Sequence, residues 1–137
     1  MTERAATTRP TTPQQRGKAS REKGKRGERE AARELMKRIP NVKIQRSVQY
    51  AGRMAAHSQG GMPDLMGLKG FHLEIKRTEK AKVYDWMEQV NGDKKPDEIG
   101  VILHRQSGKE WIAILSIDDL CKLINAAGLH RNKEETE

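Results

Sequence analysis

The chain has 137 residues and a formal net charge of +8. That length supports one core and excludes a second, and the basic excess points to a polyanionic partner, nucleic acid before membrane. The single cysteine, Cys121, excludes an intramolecular disulfide and a cysteine-built zinc site, and no apolar run approaches a transmembrane helix or a signal-peptide core.

Residues 1–27 hold eight Lys/Arg against two acids, which leaves 19 basic and 17 acidic residues for 28–137. The excess therefore sits near the N-terminus. Residues 1–22, rich in Thr, Pro, Gln and Arg, read as a disordered basic arm that could neutralise phosphates or serve only as a solubilising tail. Residues 23–129 are the folded domain, and 130–137 a charged C-terminal tail. A helix follows Lys23-Gly24-Lys25-Arg26-Gly27-Glu28-Arg29: Ala31, Ala32, Leu35, Met36 and Ile39 keep helical spacing, and Pro40 ends it. Glu28 begins that apolar stripe. Its carboxylate either favours the helix dipole in the first turn or points toward a site.

Val42 to Tyr50 alternates as a first strand. Residues 51–61, with Gly52, Gly60, Gly61, Arg53, His57 and Ser58, read as a loop that runs into Pro63-Asp64. His57 and Ser58 are candidates for phosphate contact. Next, Gly61 to Lys76 reads as two short strands joined by a turn at Leu68-Lys69-Gly70. Leu73 and Ile75 point to one face; His72, Glu74 and Lys76 point to the other. A three-residue loop pairing Gly67 with Phe71 sets Asp64 opposite Glu74, whereas a two-residue turn makes them diagonal. Opposed carboxylates about 5 Å apart at Cβ repel unless a cation lies between them, and oxygen ligands suit Mg²⁺ or Mn²⁺.

Beyond Lys76 and a polar connection that includes Arg77, a helix with Val83, Trp86, Met87 and Val90 on one face is expected, ending at Gly92. Its other face carries Gln89. Ile99 to Arg105 and Trp111 to Ser116 read as two strands, the first a covered central one. A last helix, capped by Ser116 or Asp118, is expected to bury Leu120, Cys121, Leu123, Ile124 and Ala127 and to stop at Gly128. The order of elements predicts an α/β fold: a mixed central sheet flanked by helices.

As a bare pattern Asp-x₉-Glu-x-Lys is weak, because charged residues make up 34% of the chain. Pro63-Asp64 followed by Glu74-Ile75-Lys76, however, resembles the signature of the PD-(D/E)XK nuclease superfamily. Lys23-Gly24-x-x-x-Glu28-Arg29 is similar to the opening of its archaeal-type Holliday junction resolvases. The resemblance spans roughly residues 23–124 and implies a restriction-endonuclease-like αβββαβ core. It implies a metal-dependent DNA endonuclease with Glu28, Asp64, Glu74 and Lys76 catalytic. Asp64, Glu74, the Ile75 carbonyl and Glu28 would hold Mg²⁺, with Mn²⁺ a substitute. Lys25, Arg26, Arg29, Arg53, His57, Ser58, Arg77 and Gln89 would face DNA. A four-way junction is the leading substrate. Flap, nicked or duplex DNA is the alternative, as is a non-catalytic DNA-binding protein of this fold. The resolvase reading implies a homodimer. A cytoplasmic location, or host cytoplasm for a phage-encoded protein, fits the lone cysteine.

Overall fold

The computed structural model describes residues 10, 12–47 and 61–131. Helix α1 (Pro13–Arg38) is followed by β1 (Gln45–Arg46), β2 (Leu65–Met66) and β3 (Phe71–Arg77). Then come α2 (Val83–Asp93), β4 (Ile99–Arg105), β5 (Ile112–Ile114) and α3 (Ile117–Ala127). The strands form one sheet in the order β1-β2-β3-β4-β5. Only β3 and β4 run parallel, as their helical crossover α2 requires; the other neighbours are antiparallel. The fold is thus α/β, a five-stranded mixed sheet flanked by helices and compatible with the expected αβββαβ order.

Alternation along the two central strands divides the core. Leu73, Ile75, Ile99, Val101 and Leu103 pack with Ala31 and Ala32 of α1, while Ile102 packs with Trp86 and Val90 of α2. β4 is buried over its first six residues, as its apolar run predicts. Gly27 is the point of closest approach between α1 and the sheet: a Cβ there would lie 2.6 Å from the Arg77 Cβ. At Gly67, φ is +119° and a Cβ would meet the Lys43 carbonyl oxygen at 2.0 Å, so only glycine lets β2 leave its neighbour at this point.

Three expectations change. First, α1 begins at Pro13, so residues 13–22 of the expected disordered arm are helical and lie mostly exposed. The cause is local. Thr12 and Gln15 form a reciprocal capping box and Pro13 occupies the first helical position, a start signal that needs no apolar stripe. Second, α3 does not bury its apolar stripe. Ser116 caps it and Gly128 (φ 68°) ends it as expected, but Leu120, Cys121, Ile124 and Ala127 are exposed, and Leu123 is only half-buried. Leu123 packs on the core, and the one buried residue of the helix is polar: Asp119, 1% exposed, accepts the Gly100 amide at 2.9 Å. Third, α2 runs through Gly92 to Asp93. Among the described residues no helix is long and apolar enough to cross a membrane.

Candidate active site

The β2–β3 register pairs Leu65 with Leu73, and the Asp64 amide donates to the Leu73 carbonyl at 2.8 Å, so the pairing ends with the Asp64 carboxyl beside that of Glu74. This is the three-residue-loop alternative. The turn closes through the Phe71 amide on the Leu68 carbonyl (3.3 Å) with Gly70 at φ +85°. Two anchors hold the Pro63-Asp64 step: the Ser47 amide donates to the Asp64 carbonyl (3.0 Å) and the Ser47 hydroxyl to that of Pro63 (2.5 Å). The strand pair ends at Asp64, whose carboxylate accepts the Ile75 amide at 2.8 Å. A side chain there does the work of a ladder bond.

Burial pushes the Asp64 carboxyl up to about 7, with the neighbouring Glu74 charge adding to the rise and Glu28 adding a smaller part. The Ile75 amide opposes the shift. Three of the four sequence-picked residues are therefore electrostatically coupled at one place: Asp64, Glu74 and Glu28. The fourth, Lys76, shares the Glu74 face. Its ammonium donates to Gln89 Oε1 (3.3 Å) and lies 5.9 Å from the centre of the Trp86 ring. Gln89 is thus a hydrogen-bond partner of the Lys76 ammonium.

Glu28 is half-buried and accepts the Arg46 Nε at 2.5 Å. Arg46 falls on the apolar phase of the first strand, where a guanidinium needs a partner; Glu28 provides it. Glu28 therefore reaches the acidic cluster with its charge offset by an arginine. Arg77 splits its roles. Its stem packs under Gly27, and its guanidinium faces Ser107 (3.4 Å) and Glu79 (3.6 Å). Lys25 is half-buried beside Glu22 (3.6 Å), and Arg26 and Arg29 are exposed. Arg53, His57 and Ser58 lie outside the described residues.

Sequence reading missed two neighbours of Glu74. His72 is 1% exposed, and its Nε2 lies 3.1 Å from Glu74 Oε1. Asp93, at the end of α2, places a carboxylate oxygen so that the His72, Glu74 and Asp93 ligand atoms all fall within 4.8 Å of one another. The signal for His72 was its two-residue spacing from Glu74 on one strand face. Asp93 gave none, because a helix end cannot be positioned against a sheet from spacing alone. A cleft of about 510 Å³ opens here, with Gly61, Pro63, His72, Asp93 and Lys95 among its walls.

The donor set of opposed Asp64 and Glu74, with oxygens only, fits a hard divalent cation. The Ile75 carbonyl suits the same cation, because the N–H and C=O of one strand residue face the same edge and its N–H already faces Asp64. No family model matches the chain, and no curated protein or solved structure matches it.

Proposed function

We propose that the protein is a metal-dependent DNA endonuclease that hydrolyses phosphodiester bonds, with a four-way junction as its preferred substrate. The observation that carries the reading is the Asp64–Glu74 opposition with Lys76 on the same face. Burial and the neighbouring Glu74 charge hold back the ionisation of Asp64, and a divalent cation relieves that repulsion. Asp64, Glu74 and the Ile75 carbonyl would hold Mg²⁺, with Mn²⁺ a substitute, and Glu28 would act from behind its Arg46 pair.

When bound, the cation supplies charge neutralisation at the phosphate and acidifies water. The chain's own residues do the rest. The Lys76 ammonium, steered by Gln89, is positioned to orient the attacking water or to donate toward the phosphate oxygen as charge develops there. The exposed cations of α1, Arg26 and Arg29 with those of its first turns, supply sequence-independent contact with the DNA backbone. Only Trp86, Trp111, Tyr50, Tyr84 and Phe71 offer rings, too few for base stacking along a single strand to be the main binding term. A junction cutter makes paired cuts and would act as a homodimer.

The test is incubation of the full chain with four-way junction, flap, nicked and linear duplex DNA, with Mg²⁺ or EDTA. Paired nicks on the junction that EDTA abolishes support the reading. Cleavage of flaps or plain duplex alone moves it to the alternative substrate class, and DNA binding without cleavage of any substrate refutes the enzyme.

A further inference from the structure

We infer that His72, Glu74 and Asp93 form a second cation site beside the Asp64–Glu74 pair, one that takes a transition-metal ion through an imidazole nitrogen and two carboxylates. The inference rests on the reading of Glu74 as a metal ligand and extends it to residues outside the nuclease signature.

Geometry is the first argument. An octahedral ion with bonds of about 2.1 Å separates adjacent ligand atoms by about 3 Å and opposite ones by about 4.2 Å. The His72 Nε2–Glu74 Oε1 distance of 3.1 Å matches an adjacent pair, and the whole set lies within 4.8 Å, so small side-chain adjustments complete it. Burial is the second. His72 and Glu74 are 1% and 4% exposed, fixed on one rigid strand two residues apart, so the two ligands are held in place before any ion arrives. Asp93 comes from a different element, the end of α2. Its carboxylate lies against the Gly61 backbone, where a Cβ would stand 2.8 Å from Cγ and Oδ1. The third argument is access: His72 and Asp93 both line the open cleft.

Ligand chemistry selects the ion. Carboxylate oxygens alone suit Mg²⁺, whereas an imidazole nitrogen shifts preference toward Mn²⁺, Zn²⁺ and other first-row ions. The neutral imidazole is the ligand form, so His72 would offer an unprotonated Nε2 to the ion. Glu74 would be the residue that the two sites share.

Mn²⁺ added to the full chain without DNA, read by pulsed electron paramagnetic resonance, tests this directly. The expected result is nitrogen hyperfine modulation from one imidazole in the wild type. It should vanish in His72→Gln and persist in Asp64→Asn. Asp93→Asn should weaken Mn²⁺ binding at least tenfold. Gly61→Ala keeps all three ligands but drives a methyl group into the Asp93 carboxylate, and it should also weaken binding. Wild-type chain that binds Mn²⁺ with no nitrogen modulation, or that binds none, overturns the inference whether or not any variant folds. Junction cleavage in Mg²⁺ separates the two ideas. Cleavage without the nitrogen signal sinks this site and leaves the nuclease reading standing; the signal without cleavage does the reverse.

Discussion

The Asp64 carboxylate accepts the Ile75 amide at 2.8 Å, and this one bond joins the two halves of the site. It ends the β2–β3 ladder, turns the Asp64 side chain toward the strand that carries Glu74 and Lys76, and keeps the carboxylate partly stabilised while burial and Glu74 destabilise it. The balance falls on the side of the proton.

The consequence for pH has a definite sign. The folded chain holds the Asp64 proton up to about 7, against 3.8 ordinarily. Between those values the folded state binds more protons than the unfolded one, so this group's unfavourable burial is absent below 3.8, grows through the window and is complete above about 7. In EDTA, Asp64→Asn should therefore be more stable than the wild type at pH 8, by about 1–4 kcal/mol, and the gap should close by pH 4. Urea denaturation at the two pH values measures it.

Cation affinity should run the opposite way. The ligand form is the carboxylate, so a bound cation must displace the proton. Mg²⁺ affinity is expected to rise by roughly tenfold per pH unit below about 7 and to level off above it. Calorimetry at pH 6, 7 and 8 reads the slope, and in Asp64→Asn the slope should flatten.

Gly27→Ala is expected to destabilise the fold although alanine is the better helix former by about 1 kcal/mol. The added Cβ would meet the Arg77 Cβ at 2.6 Å. That atom is next to the backbone and cannot swing aside, so α1 must lift from β3. A loss of about 1–3 kcal/mol follows from such overpacking. Gly24→Ala is the control: a Cβ there meets nothing within 4 Å, and its thermal midpoint should rise or stay unchanged.

Asp119→Ala should lower stability by about 2–4 kcal/mol. The change removes the acceptor of the buried Gly100 amide and the partner of Lys94 (4.0 Å) and Lys122 (3.4 Å). Because α3 exposes Leu120 and Ile124 and only Leu123 of its apolar side packs on the core, that side contributes little to compensate. Chemical denaturation compared with Asp118→Ala isolates the effect.

Much of this arrangement was legible in the sequence. The alternation of Leu73 and Ile75 against Glu74 and Lys76 set the faces of β3, and Gly70 marked the turn, but the choice between a three- and a two-residue loop, and with it the register, came only from the structure. The run Val101-Ile102-Leu103 marked the covered strand. Other features required three dimensions. The capping box at Thr12 starts a helix in a segment whose composition reads as unfolded. The amphipathic pattern of α3 gives a face but not a partner for it. The Arg46–Glu28 pair joins residues 18 apart in sequence, and Asp93 reaches Glu74 only because α2 crosses the sheet between two parallel strands.

The most direct test of the central claim is cleavage of a four-way junction by Glu74→Gln and Asp64→Asn beside the wild type, at saturating protein and 5–10 mM Mg²⁺ (on the order of physiological to assay levels for a weakly held hard cation), with DNA binding measured in parallel. The account predicts that each variant loses cleavage by at least about a hundredfold, in the range of lost electrostatic stabilisation, while binding stays within a few-fold of the wild type. Cleavage at wild-type rates by both variants would contradict it.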